Sequence, residues 1–281
     1  MDLVLTNRSN NKIIDGRKLA QLHQEKVKQK LAKLNIKPKV VSILIGDDPP
    51  SVLYTNMKQK KALEVGIDFQ PTRIPATEDY EKVVDLIKQL NDDPKINGIM
   101  IQLPIPGELL QGYDKYELLN LINKKKDVDG LTSNSPFLPA VVRAIMEILQ
   151  DAEVKLEGVN AVVLGASRLV GQPVAKELEK KGAKVIICDK STPNQTEITK
   201  QADVIVSATG VAGLLKGEMV KSGVVVVDVG AEKVNGKLVG DVDFESVLPK
   251  ASKITPVPGG VGPMTVICLM ENVVDAVKSI P

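Results

Sequence analysis

The sequence predicts an α/β protein of two domains, and three observations carry that prediction. Apolar strand-like runs alternate with amphipathic helical stretches along the whole chain. The runs at 159–165, 183–188, 203–208 and 223–229 are short, β-branched and apolar throughout, as expected of parallel strands covered on both faces. A glycine-bearing turn, Gly165-Ala-Ser-Arg-Leu-Val-Gly171, joins one of these strands directly to a helix. With 281 residues the chain can hold two ordinary domains. The loop at 131–138, rich in Thr, Ser, Asn and Pro, is the expected boundary. It separates 1–138, rejoined by a C-terminal helix at 266–281, from 139–265.

Each element has its own signal. Leu19, Leu22, Val27, Leu31 and Leu34 form one apolar stripe among Lys and Gln, which predicts a helix over 15–34 with Asp15 as a cap. Val40–Ile45 reads as a buried strand. The next helix carries Tyr54 and Lys58 and stops at Gly66. A strand near 68–74 precedes a helix whose apolar side holds Val83, Val84, Leu86, Ile87 and Leu90. Ile96–Leu103 is a strand ended by Pro104 and Pro106. A short helix over 116–122, a charged turn at 124–130 and a helix near 139–150 complete the first half. After the four apolar strands, Asn235-Gly236 between two lysines signals a hairpin. A last helix runs from about Met264 to Ser279.

Composition excludes several function classes. The formal net charge of +2 gives no electrostatic case for nucleic acid or an anionic membrane. Aromatic residues make up 2 % of the chain and Trp is absent, which argues against base-stacking surfaces. Cys188 and Cys268 lie in apolar runs and read as buried thiols. The single histidine, His23, is expected to be exposed and idle, so neither a metal site nor a Ser-His-Asp triad is expected. No run is long enough for a signal peptide or a membrane span, which predicts a cytoplasmic protein.

Candidate chemistry sits at strand ends. Tyr54 and Lys58, four residues apart, share one helix face. Gly165 to Gly171 fits a dinucleotide loop, with the following helix N-terminus offered to a pyrophosphate. Its spacing departs from G-x-G-x-x-G, so a packing glycine remains open. Asp189 closes the second strand of that unit, where an acid takes adenosine ribose hydroxyls and repels an added phosphate. A helix-capping Asp is the alternative there. Ser207-Ala-Thr-Gly210 and Asp228-Val-Gly230 end further strands on the same edge. The Gly- and Pro-dense run at 257–265 can lay backbone against a flat ligand or simply connect two elements.

Tyr54-x-x-x-Lys58-x-Lys60, Ile101-Gln-Leu-Pro104, Lys126-Asp-Val-Asp-Gly130 and Thr255–Thr265 stand in order along the chain. Together they resemble the methylenetetrahydrofolate dehydrogenase/cyclohydrolase family over nearly its full length. Asp203–Gly210, Val227–Gly230 and Val239–Phe244 add to the match. The resemblance implies a folate-binding catalytic domain, a Rossmann-like NAD(P)-binding domain and an active site in the cleft between them. It implies two reactions. Methylene-tetrahydrofolate gives a hydride to NAD or NADP and becomes a methenyl cation, and water then opens that ring to formyl-tetrahydrofolate. Lys58 matches the catalytic lysine, Gln102 the residue that places it, Tyr54 the one that orients folate and Asp129 the carboxylate that grips the pterin. Substrate contacts are further implied at Leu103, Pro258, Gly259 and Gly260. Cofactor contacts are implied at Gly165, Ala166, Ser167, Arg168, Gly171, Asp189, Thr209, Gly210, Ala231 and Thr265. A homodimer is implied as well.

Some positions depart from the family. Gly165-Ala166-Ser167 replaces Gly-Arg-Ser, and Cys188-Asp189-Lys190 replaces Cys-His-Ser. Two supports for a cofactor phosphate are changed and one change adds negative charge, which favours NAD. Val211-Ala212 stands where Lys-Pro is common. These departures leave two alternatives: a cyclohydrolase with weakened or lost dehydrogenase, and a non-catalytic folate or nucleotide sensor. A generic dehydrogenase of small hydroxy acids lacks a suitably placed histidine.

Overall fold

The computed structural model describes residues 12–34 and 36–279. The extreme N-terminus, where the sequence offers no signal-peptide core, lies outside the described residues. The chain forms two α/β units: Gln21–Ala140 with Val266 onward, and the described residues through Ala20 with Val141–Thr265.

The first unit is built on a three-stranded parallel sheet. Strand β1 (Lys39–Ile45) lies between β2 (Asp68–Ile74) and β3 (Gly98–Ile101). Its central place explains the largely apolar run: Val40, Ile43, Leu44 and Ile45 are all buried. Pro71 sits in the edge strand β2, where a missing N–H does least harm. Between the strands run α2 (Pro49–Val65) and α3 (Tyr80–Asp92). Two short helices follow, α4 (Gly107–Leu110) and α5 (Lys115–Asn120).

Helix α1 (Gly16–Leu34) and the last helix, α10 (Val261–Ser279), complete this unit with their residues from 21 and 266 onward. The sequence predicts an exposed, idle His23, but the residue is buried, with Nδ1 3.0 Å from Glu271 Oε1. Its partner lies 248 residues away, so no local pattern could announce it. Asn272 of α10 donates to the carbonyls of Val128 and Leu138, both at 2.9 Å. Cys188 and Cys268 are both buried and form no disulfide, as the apolar runs around them suggest.

The second unit opens with α6 (Ala140–Asp151), whose first residue still groups with the first unit. Its sheet has five parallel strands: β4 (Asn160–Leu164), β5 (Lys184–Cys188), β6 (Val204–Ser207), β7 (Val225–Asp228) and β10 (Lys253–Ile254). Their order is β10-β7-β6-β4-β5. Chain order reverses at β4, which has β5 on one side and β6 on the other. The C-terminal ends of β4 and β6 therefore border the crevice where such sheets take ligands. Helix α7 (Gly171–Lys180) follows β4, and α8 (Gln195–Thr199) follows β5. The predicted hairpin is β8 (Glu232–Val234) and β9 (Lys237–Val239), with Asn235 and Gly236 at positive φ. Helix α9 (Phe244–Val247) follows it. Residues 12–20, which the sequence groups with the first domain, pack here because Ile13 bridges Ile254 and Ile14 N donates to Ile254 O at 2.8 Å. Among the described residues no helix is long and apolar enough to cross a membrane.

Candidate active site

In the first unit, α2 is fixed before it carries anything. Asp48 caps it by accepting from Ser51 N at 3.0 Å and Ser51 Oγ at 2.7 Å, prolines fill the first turn, and Gly66 ends it at φ 94°. Tyr54 and Lys58 lie half-buried on one face. Lys58 Nζ donates to Gln102 Oε1 at 3.0 Å. Gln102 follows β3, and its own N–H continues the ladder to Ile43 O at 2.8 Å. The other end of its side chain is already committed, since Nε2 donates to Leu103 O at 2.8 Å. That bond sets the orientation of the amide, with Oε1 turned to accept from the lysine.

Lys126–Gly130 divides its labour. The Lys126 ammonium is buried against the last turn of α3, donating to the carbonyls of Leu90, Asn91 and Asp93. Asp127 accepts from the backbone of Gly130, Leu131 and Thr132 and from the Thr132 hydroxyl, so it shapes the turn. Gly130 has φ 72°, and a Cβ there would lie 2.6 Å from the Leu138 carbonyl carbon. These neighbours hold Asp129 in the field of Lys58. Burial pulls the Lys58 ammonium below its usual pKa of 10.5, with Asp129 pulling the other way. Burial raises the Asp129 carboxyl, opposed by Lys58 and reinforced by Asp127. Both groups are thus pushed toward their neutral forms.

In the second unit the dinucleotide loop is a backbone cradle. Gly165 has φ 104°, and a Cβ there would lie 2.4 Å from the Ala208 carbonyl oxygen; one on Gly171 would lie 1.8 Å from Gly165 O. The Ser167 hydroxyl accepts from Val170 N and Gly171 N, both at 3.3 Å, at the start of α7. Ala166 is half-buried and Arg168 exposed in the same loop. The packing role of these glycines and close approach by a phosphate are compatible. Asp189, at the end of β5, is exposed and accepts from Ser191 N at 2.9 Å and Ser191 Oγ at 2.6 Å. Those bonds hold its carboxyl below the usual range.

Thr209 and Gly210 lie just beyond β6, Ala231 is exposed before β8, and Thr265 donates to Val261 O within α10. Pro258 is exposed, while Gly259 and Gly260 are buried, with Gly259 at φ 114°. Gly16 is the reason they can be: a Cβ on it would lie 1.9 Å from Gly260 O. The structure thus places Tyr54, Lys58, Gln102, Leu103 and Asp129 in one unit and the remaining candidates in the other. Sequence reasoning gave no role to two carboxylates. Asp228 accepts from Gly230 N, Asp241 N and Val242 N, all at 3.0 Å. Burial, with Asp241 adding, raises it to about 6 against those bonds. Asp241 accepts from Ser207 Oγ and from Thr209 N and Oγ1. Both acids lie in the quoted motifs, but nothing in the spacing pairs them.

The chain matches two descriptions of one family: tetrahydrofolate dehydrogenase/cyclohydrolase, catalytic domain, over residues 14–129, and the NAD(P)-binding domain of the same family over 139–280. It is 48 % identical over 275 residues to the bifunctional protein FolD of Lactobacillus acidophilus, covering 94 % of this chain and 96 % of that one. Among solved structures, a FolD methylenetetrahydrofolate dehydrogenase/cyclohydrolase from Campylobacter jejuni superposes with a TM-score of 0.90 at 40 % identity, over 95 % of this chain and 98 % of the other. The Trypanosoma brucei enzyme, complexed with NADP cofactor and inhibitor, gives 0.88 at 33 % identity, over 95 % and 97 %.

Proposed function

Because the chain belongs to the tetrahydrofolate dehydrogenase/cyclohydrolase family, we propose that Lys58 is the proton carrier of its hydrolytic step. The protein is a bifunctional enzyme of one-carbon metabolism. It converts methylene- to methenyl-tetrahydrofolate by NAD(P)-linked hydride transfer and hydrolyses the methenyl form to formyl-tetrahydrofolate. The bound nicotinamide supplies the hydride acceptor. Its binding residues here are the cradle at Gly165–Gly171, Asp189, Thr209, Gly210, Ala231 and Thr265. The cradle fits the group, because neither Gly165 nor Gly171 has room for a side chain and α7 begins at Gly171.

The observation that carries the proposal is the 3.0 Å bond from Lys58 to Gln102 beside Asp129. Hydride loss is driven by a folate nitrogen lone pair and asks no base of the protein. Hydrolysis does. A neutral Lys58 amine takes a proton as water forms the new C–O bond at the methenyl carbon, then returns it to the ring nitrogen as the C–N bond breaks. The approaching substrate cation lowers the lysine further. Gln102 aims the amine, Tyr54 orients the folate, Leu103 lines it, and Asp129 takes paired N–H bonds from the pterin edge. Methenyl hydrolysis by Lys58→Met should fall about 10²–10⁴-fold while some hydride transfer persists; unchanged hydrolysis would remove Lys58 from its role.

Three finer statements belong to the same reading. NAD is favoured, because Asp189 puts negative charge where the NADP phosphate would lie. The folate-binding part follows the match over 14–129, extended to 138 and rejoined by 266–281, and the dinucleotide part is 139–265. The enzyme is a cytoplasmic homodimer, and the homodimer is supported by Ile186 and Ile187, exposed on the edge strand β5.

A further inference from the structure

We propose that Asp241 is a positioning residue for the hydride-transfer step: it fixes Thr209–Gly210, the wall beside the nicotinamide half of the cofactor. The inference rests on the reading of Thr209 and Gly210 as cofactor contacts.

Three donors converge on one oxygen of Asp241. Ser207 Oγ lies at 3.0 Å from Oδ2, Thr209 N at 2.6 Å and Thr209 Oγ1 at 2.9 Å. The Thr209 hydroxyl also accepts from Val211 N at 3.2 Å, so its own proton must point to the carboxylate. Backbone and side chain of Thr209 are therefore both held by one anion, through charge-assisted bonds. The segment it holds lies at the reversal of strand order. The Ala208 carbonyl presses against Gly165, and Asp189 marks the adenosine side across β4. By that topology the β6 end belongs to the nicotinamide half. Gly210 follows at φ 68° with open space where a side chain would be.

The anion is itself built in. Asp228 accepts from Asp241 N and Val242 N, pinning the return from the hairpin to the end of β7. A Cβ on Gly230 would lie 2.1 Å from Asp241 Oδ1, and one on Gly240 1.9 Å from Asp228 Oδ2. Asp241 has no exposed surface, and its Oδ1 has no donor among the described residues. A buried carboxylate loaded on one oxygen and bare on the other is an expensive way to hold a turn. The charge strengthens all three bonds to Oδ2, two of which hold Thr209.

The test compares wild type with Asp241→Asn in three assays. The KM for the preferred nicotinamide cofactor should rise about tenfold, or about 1.4 kcal/mol. Inhibition by adenosine monophosphate, which fills only the adenine half, and methenyl hydrolysis should stay as they are. A KM within twofold of wild type overturns the proposal, as does parallel loss in all three assays. If Asp241→Asn does not fold, Ser207→Ala decides, because that buried hydroxyl donates to Asp241 Oδ2; it should raise the same KM alone. Gly210→Val separates the two layers. If it leaves cofactor KM unchanged, the underlying contact assignment fails. If it raises KM while Asp241→Asn does not, only the positioning role fails.

Discussion

Asp228 shows how one buried group ties stability to pH. Its rise from 3.8 to about 6 is worth about 3 kcal/mol. The folded value lies above the unfolded one, so the contribution is complete below pH 3.8 and is lost as pH rises through about 6. Asp228→Asn has no proton to lose there. The wild-type advantage over this variant, measured by urea unfolding, should shrink by about 3 kcal/mol across that interval; a constant gap would contradict the burial argument. At this scale residue types are legible in the sequence, but their company is not. Lys58 and Tyr54 were legible as one face because helical period is local. The bond from Lys58 to Gln102 spans 44 residues and that from His23 to Glu271 spans 248, and no local period reports such pairs.

At the scale of elements, function gathers where strands end. Strand interiors are apolar because both faces are covered, which is why β1, β4, β6 and β7 could be read directly from runs of Val and Ile. The two-residue β10 could not, since its place is set by pairing with β7. Asp189 sits one residue beyond β5 with its Oδ1 held by Ser191. Asp189→Ser removes the charge and should shift the NAD/NADP preference toward NADP by about tenfold, comparable to about 1.4 kcal/mol. Steady-state kinetics with each nicotinamide in turn measures this, and an unchanged ratio would take Asp189 out of the argument.

For the molecule as a whole, two α/β units were legible from alternation and one glycine-bearing turn. The return of residues 12–20 to the second unit was not, because a single bridge to Ile254 and a glycine packed on Gly260 leave no mark in a hydropathy pattern. Exposed Ile186 and Ile187 on an edge strand are an unfinished surface. For the homodimer proposed above, Ile187→Lys should leave a monomer in sedimentation at micromolar concentration; a variant that stays dimeric would place the interface elsewhere.

The central claim concerns one amine kept from its usual protonation by burial. Its most direct test is the pH dependence of catalysed methenyl hydrolysis, in wild type and in Lys58→Met. The account predicts a limb rising with pH, with its midpoint below 10.5 and absent from the variant. A midpoint at or above 10.5, or the same limb in Lys58→Met, would contradict it.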